Sequence, residues 1–389
     1  MISSNKKRHM DVHQFTSDAR KLIDDQLAHL LALTDKQLPY SSLFSSARYS
    51  ALSPGKRLRP MVVLAVCKSY GVDLNLGLIP ACALEMVHTY SLIHDDLPCM
   101  DDDEVRRGQP TLHKVYPEWH ALLTGDFLLT YAFEVLSFAP HLNADQKLAL
   151  VKTLARHAGA HGMIGGQMID LLSEGKEIGW ELLKRMHLGK TAGLITAALE
   201  FGGIVSQASD ADMEKLRQAG PAIGLAFQLI DDLLDEADEA SIPRAGKFCE
   251  FGLCEAKQNR SVAFRTSETI AEEQGCGDTR KSSGCEDTRR SGGPSQCKAG
   301  ERSEPGQCKA GERANWVREG AILQSRSQSK FTEPDGARYK ATAVSILGTE
   351  KVKIKALELL QIASDHASSL SRPAPLLFAL FEQMVDRKN

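Results

Sequence analysis

The amino-acid sequence predicts an all-α protein, and three observations carry that reading. From Phe15 to Leu33 apolar residues recur at helical spacing (Phe15, Ala19, Leu22, Ile23, Leu27, Leu30 and Leu31), the mark of an amphipathic helix. Trp119–Phe138 is apolar nearly all round, as expected of a helix buried in a large helical body. In Ala219–Asp235, Gln228, Asp231 and Asp235 fall at helical intervals on one stripe. With 389 residues, 42% of them hydrophobic, the chain can bury a large core, and length alone allows one to three domains.

Composition excludes several classes of function. The net charge of −3 gives no electrostatic case for a nucleic-acid partner. Met1–Met10 lacks the apolar run of a signal peptide. The longest apolar stretches, such as Met61–Cys67, fall far below the roughly 20 residues of a membrane span. A soluble, cytoplasmic protein with no membrane span is the expectation. Nine cysteines, six of them between Cys249 and Cys308, imply no disulfide framework for the core.

After the first helix, Ser53-Pro-Gly-Lys-Arg-Leu-Arg-Pro60 makes a turn at Pro54-Gly55 and sets Pro60 in the first turn of a helix over Met61–Tyr70. Lys56, Arg57 and Arg59 gather where that helix also offers free N–H groups, a cradle for an anion. An exposed basic turn is the plainer reading of those residues alone. Ala81–Asp96 is the next helix, in which Glu85, His88, Leu92 and Asp95 follow at intervals of three, four and three, so His88 and Asp95 share a face. A lone histidine on such a face is usually a satisfied core group.

Pro98 disfavours helix at Leu97, which puts six acids, Asp95 to Glu104, at the helix C-terminal end and in the turn beyond. That end already carries partial negative charge, and two like charges 4 Å apart repel by roughly 4 kcal/mol at an effective dielectric near 20. The cluster therefore calls for hard cations, and oxygen-only ligands favour Mg²⁺ or Mn²⁺ over zinc. Arg106-Arg107 directly after it suits an anionic phosphate that the metal would share. Val151–Leu172 contains Gly165-Gly166 in a helical pattern, at about 1 kcal/mol per glycine against alanine, which close packing or a kink beside a ligand would explain. Leu182–Leu199 carries Lys190-Thr191 in mid-pattern, where a lysine is normally solvated.

Ala219–Asp235 repeats the logic of the first acidic stretch. Gln228, Asp231 and Asp235 line one stripe of a helix, with Asp232 about 100° away. One Asp-Asp-x-x-Asp is a weak motif; two in one helical chain are strong. From about Ala240 to Gly336 the apolar period stops and short near-duplicates appear, such as Gln-Cys-Lys-Ala-Gly-Glu-Arg at 296–302 and 307–313. Loop or disorder is expected there, and its cysteines lack Cys-x-x-Cys spacing. Helical sequence resumes at Tyr339 and ends with Pro375–Asp386.

Together these residues closely resemble the short-chain trans-prenyl diphosphate synthases, especially bacterial farnesyl diphosphate synthases. The likeness rests on Gly55-Lys-Arg-Leu-Arg-Pro60, Asp95-Asp96-Leu-Pro-Cys-Met-Asp101 with Arg106-Arg107, Gly165-Gly166-Gln167, Lys190-Thr191 and Asp231-Asp232-Leu-Leu-Asp235. It covers roughly Phe15–Asp238 and Tyr339–Asn389. The resemblance implies an isoprenoid-synthase-type bundle of about ten mostly antiparallel helices around a central cavity. It implies one prenyl synthase domain over 1–389, interrupted by a low-complexity insertion at 240–336, and usually a homodimer.

Carried over by resemblance, Asp95, Asp101 and Asp231 would ligate three Mg²⁺ ions, supported by Asp96 and Asp235. Arg106, Lys190, Thr191 and Gln228 would contact an allylic diphosphate, Lys190 also serving catalysis. Lys56, Arg59, His88 and Arg107 would hold isopentenyl diphosphate. Gly246-Lys247 matches a family Gly-Lys that helps bind the allylic diphosphate, and Lys340-Ala-Thr342 a further family lysine. An aromatic at Tyr90, with the two extra residues Leu97-Pro98 in the first motif, is similar to the farnesyl type, although the ideal wheel puts Ser91 nearer the face of Asp95. The implied activity is Mg²⁺-dependent condensation of isopentenyl diphosphate with dimethylallyl or geranyl diphosphate to farnesyl diphosphate. A geranylgeranyl diphosphate synthase, a class I terpene cyclase and a non-catalytic paralogue disabled by the insertion are the competing readings.

Overall fold

The structure, a computed structural model, describes residues 2–32, 37–239 and 341–385. Two compact units divide the chain, Met1–Lys257 with Arg338–Asn389 and, separately, Gln258–Ala337; every described residue lies in the first. Among the described residues its secondary structure is helical apart from a hairpin of two two-residue strands. In order it comprises α1 (Ile2–Leu30), α2 (Ser41–Ala51), α3 (Leu58–Ser69), α4 (Leu74–Asp95), β1 (Val105–Arg106), β2 (Gln109–Pro110), α5 (Leu112–Val115), α6 (Glu118–Ser137), α7 (Ala144–Ala158) and α8 (Met163–Ser173). Then follow α9 (Trp180–His187), a π-helical turn (Leu188–Ala192), α10 (Gly193–Val205) and α11 (Asp210–Glu239). After the residues outside the description come α12 (Ala343–Leu347), α13 (Thr349–Ser368) and α14 (Pro375–Val385). The insertion expected at 240–336, its cysteines, Lys247 and Lys340 lie outside the described residues.

The core is centred on α10, where every residue except Ile204 is buried and which packs against α3, α4, α7 and α11. A helix apolar on all sides can only be an interior one. Around it α4 lies along α6, and α11 lies along α13. Two stretches, Leu74–Asp95 and Trp180–Val205, are long and apolar enough to cross a membrane, but 72% of each is buried inside the molecule. The sequence reading, which found no stretch near that length, missed them; their burial assigns them to the protein core.

Three elements depart from expectation. The helix expected from Ala81 begins at Leu74, with the Asp73 side chain accepting from the Asn75 N–H as an N-cap. The Val151–Leu172 stretch is two helices, α7 and α8, broken at Gly159–Gly162. Finally, α6 is not buried all round: Trp119 is 64% exposed, and Leu122 and Leu123 nearly half.

Candidate active site

The C-terminal end of α4 builds one wall. Asp95 is its last residue and Asp96 its C-cap, whose N–H donates to the Leu92 carbonyl at 3.1 Å, while the Leu97 N–H donates to that of His94 at 3.2 Å. The chain then turns through Leu97-Pro98 and comes back: the Asp101 N–H donates to the Asp95 carbonyl at 2.8 Å, and Asp102, in the left-handed region at φ 52°, donates to the Leu97 carbonyl at 3.2 Å. The two extra residues thus fold into a closed turn that brings Asp101 back beside Asp95. Burial pushes the Asp95 carboxyl up to about 6; Lys190 opposes the rise and Asp101 adds to it. Asp96 turns the other way, buried, and accepts from Arg106 Nε at 2.5 Å. Burial raises Asp96 to about 6 as well, against the pull of Arg106.

A hairpin sorts the two arginines. Val105 pairs with Pro110 and Arg106 with Gln109, so Arg107-Gly108 is a two-residue turn with φ 54° and 78°, the doubly left-handed geometry that favours glycine. Successive side chains point oppositely. Arg106 accordingly meets Asp96 and Asp103, whereas Arg107 Nη2 comes within 3.4 Å of His88 Nε2. Arginine only donates, so His88 Nε2 is the acceptor and Nδ1 carries the proton. Burial, then the charges of Arg59, Arg107, Arg106 and Arg57, hold His88 well below its ordinary range, and the ring is neutral.

Of the three cations at the α3 N-terminus, the structure removes Arg57 from the anion cradle. Arg57 sits in the left-handed region at φ 51° and turns inward, donating to Asp24 Oδ1 at 2.7 Å and Glu85 Oε1 at 3.0 Å. Its charge is spent joining α1 to α4. Arg59 instead lines a cavity, and Lys56 is exposed.

That cavity holds about 360 Å³ and is lined by Arg59, His88, Tyr90, Ser91, His94, Asp95, Met163, Ile164, Gln167, Met168, Lys190 and Thr191. Its volume lies within the roughly 300–1,000 Å³ of small-molecule sites. The lining combines charged groups with apolar side chains of α4 and α8. Tyr90 and Ser91 both reach it, Tyr90 with its ring edge on His94 at 5.6 Å between centroids.

The opposite wall depends on a close approach. A Cβ on Gly166 would lie 2.1 Å from the Lys190 nitrogen, so only glycine lets α8 meet the chain at Gly189-Lys190. There the helix opens into the π turn Leu188–Ala192, which carries Lys190 and Thr191 to the cavity. Lys190 Nζ donates to Asp170 Oδ2 at 2.6 Å. Thr191 Oγ1 donates to Gln228 Oε1 at 2.9 Å, so Gln228 stands one bond behind the lining. Asp231 is half-buried and Asp235 exposed on α11. Neither they nor Asp101 line the cavity, and among the described residues no group of three His, Cys, Asp or Glu could hold a metal unaided.

Sequence reasoning missed Asp170 and His187. Asp170 had a signal, since it follows Gly166 by four and so shares its helix face. His187, 3.6 Å from Asp232, had none.

The family model described as polyprenyl synthetase matches residues 41–248. Farnesyl diphosphate synthase of Bacillus subtilis is 44% identical over 231 residues, covering 59% of this chain and 77% of that protein. Geranylgeranyl pyrophosphate synthase 7, chloroplastic, of Arabidopsis thaliana is 45% identical over 196 residues, 50% of this chain and 56% of that one. The chain thus spans only a little over half of that plant relative. Among solved structures, an apo FPP/GFPP synthase from Zymomonas mobilis superimposes with a TM-score of 0.66 at 27% identity, over 97% of this chain and 99% of that one.

Proposed function

The chain belongs to the polyprenyl synthetase family of prenyltransferases, and from that premise we propose that it condenses isopentenyl diphosphate with dimethylallyl or geranyl diphosphate to farnesyl diphosphate. The observation that carries the reading is one cavity joining Asp95, Lys190, Arg59 and His88 to an apolar pocket walled by Tyr90, Met163 and Met168. Arg59 and His88, with Arg107 beside His88 and the exposed Lys56, hold the diphosphate of isopentenyl diphosphate. Lys190, steadied by Asp170, and Arg106, steadied by Asp96, face the allylic diphosphate.

The donor set fits Mg²⁺. Asp95 and Asp101 are drawn together by a backbone bond, and burial, with the neighbouring Asp101 charge, disfavours the ionised Asp95 carboxyl, so a cation beside it would be stabilising. Mg²⁺ is commonly held by one or two carboxylates plus substrate phosphates, so a cluster of three protein ligands is not required. Asp95, Asp101 and Asp231 would hold three ions, which when bound neutralise charge on the leaving diphosphate. The allylic C–O bond breaks with its electron pair on the departing oxygen. The isopentenyl double bond supplies the pair for the new C–C bond, and a proton passes to the released diphosphate as the new alkene forms. The apolar wall excludes water, which would otherwise trap the cation.

Tyr90 limits the product to fifteen carbons; a C20 product is the second reading, favoured by the plant relative. A homodimer is supported by apolar side chains exposed on α6 (Trp119, Leu122, Leu123) and at four-residue steps on α8 (Ile164, Met168, Leu172), an arrangement suited to a covered face. Soluble, cytoplasmic placement accompanies this reading. The test is to incubate the full chain with Mg²⁺, geranyl diphosphate and isopentenyl diphosphate and to weigh the products. Farnesyl diphosphate is expected; a mixture that releases no diphosphate and forms no longer prenyl chain would overturn the proposal.

A further inference from the structure

Three acids lie in the second aspartate-rich stretch, and the reaction described above gives a role only to Asp231. Asp232 points elsewhere. It is 5% exposed, and two donors converge on it, the Ala343 N–H at 2.7 Å on Oδ2 and Gln228 Nε2 at 3.2 Å on Oδ1, while His187 Nε2 stands 3.6 Å from Oδ2, beyond hydrogen-bond reach. A carboxylate only accepts, so Gln228 must turn its NH₂ to Asp232 and its Oε1 away. That oxygen accepts from the Thr191 hydroxyl at 2.9 Å. A hydroxyl has one hydrogen, and with it committed to Gln228, Thr191 presents only lone pairs to the cavity it lines.

We propose that Asp232 is a positioning residue that fixes the polarity of the Thr191 hydroxyl through Gln228, while its other oxygen latches the returning chain at Ala343. The inference rests on the prenyl-transfer reading. In that reaction carbon gains positive charge as the allylic C–O bond breaks, and a fixed oxygen lone pair lowers its energy where an O–H hydrogen would raise it. Both ends of the relay are set by groups that cannot reverse: the carboxylate accepts only, and the Ala343 backbone N–H donates only.

Asp232→Asn tests the relay with little change of shape. The fixed Ala343 N–H keeps the one remaining oxygen at the Oδ2 position, so the new NH₂ faces Gln228. The Gln228 amide must then flip, its NH₂ meets Thr191, and the threonine hydrogen swings toward the cavity. With full-length chain, Mg²⁺, geranyl diphosphate and isopentenyl diphosphate, kcat is expected to fall about 100-fold, the low end of the loss for one preorganised dipole, with each KM within about two-fold. In a Thr191→Val background the same substitution is expected to leave kcat within about two-fold, because its target is gone. Gln228→Met breaks the relay without touching the latch and serves if Asp232→Asn does not fold; it too should lower kcat only when Thr191 is present. Equal losses in both backgrounds, or wild-type kcat in either single variant, would overturn the inference. A wild-type chain that makes no prenyl product would instead overturn the reading on which it rests.

Discussion

Gly166→Ala sets two effects of opposite sign against each other. Alanine in a helix is worth about 1 kcal/mol over glycine, so an open site would be stabilised. Here the new Cβ would stand 2.1 Å from the Lys190 nitrogen and 2.8 Å from the Gly189 carbonyl carbon and Lys190 Cα, all backbone, where ordinary contact begins at 3.4 Å. The shortfall against the nitrogen is 3.4 − 2.1 = 1.3 Å, too large for side-chain adjustment to relieve. Overpacking of this kind costs about 1–3 kcal/mol, which leaves the net stability change between neutral and about 2 kcal/mol unfavourable. Activity should suffer more. The atoms pushed are those of the turn that carries Lys190 and Thr191, and a misplacement of about 1 Å can cost about 100-fold. The assay is steady-state diphosphate release alongside thermal unfolding followed by circular dichroism. A fall of about 100-fold in kcat/KM with a folded protein is expected; wild-type kcat/KM would refute the claim that this contact positions the lysine.

Three further outcomes follow from named contacts. Tyr90→Ala should shift the product from fifteen toward twenty carbons by mass and lower stability by about 3 kcal/mol, the low end for a buried aromatic, because the buried Tyr90 hydroxyl has no hydrogen-bond partner among the described residues and its removal relieves a cost; an unchanged C15 product would reject its role as a floor. Burial alone would raise the Asp212 carboxyl, but hydrogen bonds from the Ser371 and Tyr70 hydroxyls hold it down at about 2. Its folded value lies below the ordinary 3.8, so its contribution, on the order of 2 kcal/mol, is present above about pH 4 and lost as pH falls toward 2. Urea midpoints measured from pH 5 to 2 should drop more steeply for the wild type than for Asp212→Asn; parallel slopes would contradict the assignment. Leu123→Asp, on the exposed face of α6, should convert a dimer to a monomer in sedimentation velocity, and a wild-type monomer would contradict the covered face.

What could be read from the sequence was local. The spacing of Asp95 from His88, the turn at Leu97-Pro98 and the stripe of Gln228, Asp231 and Asp235 depend only on helical period and backbone preference, and the structure keeps His88 and Asp95 on one cavity. Contacts between helices were not legible. Lys56, Arg57 and Arg59 look alike in a row, and only the left-handed turn at Arg57, aimed at Asp24 and Glu85, separates the structural cation from the others. The π turn at Leu188–Ala192 likewise arises where Gly166 of another helix presses against it. Periodicity within Leu182–Leu199 carries no trace of that neighbour, nor of the Asp170 that holds Lys190. Trp119–Phe138 shows the same limit from the other side: an all-round apolar helix can face the core, or face outward on a single chain with its stripe exposed.

The most direct test of the central claim is where the reactants sit. A crystal structure of the full chain with Mg²⁺, isopentenyl diphosphate and an unreactive thio analogue of geranyl diphosphate would locate them. The allylic diphosphate is expected between Asp95 and Lys190, the second diphosphate against Arg59 and His88, and the prenyl tail ending on Tyr90. Substrates bound outside this cavity, or a tail directed away from Tyr90, would contradict that claim.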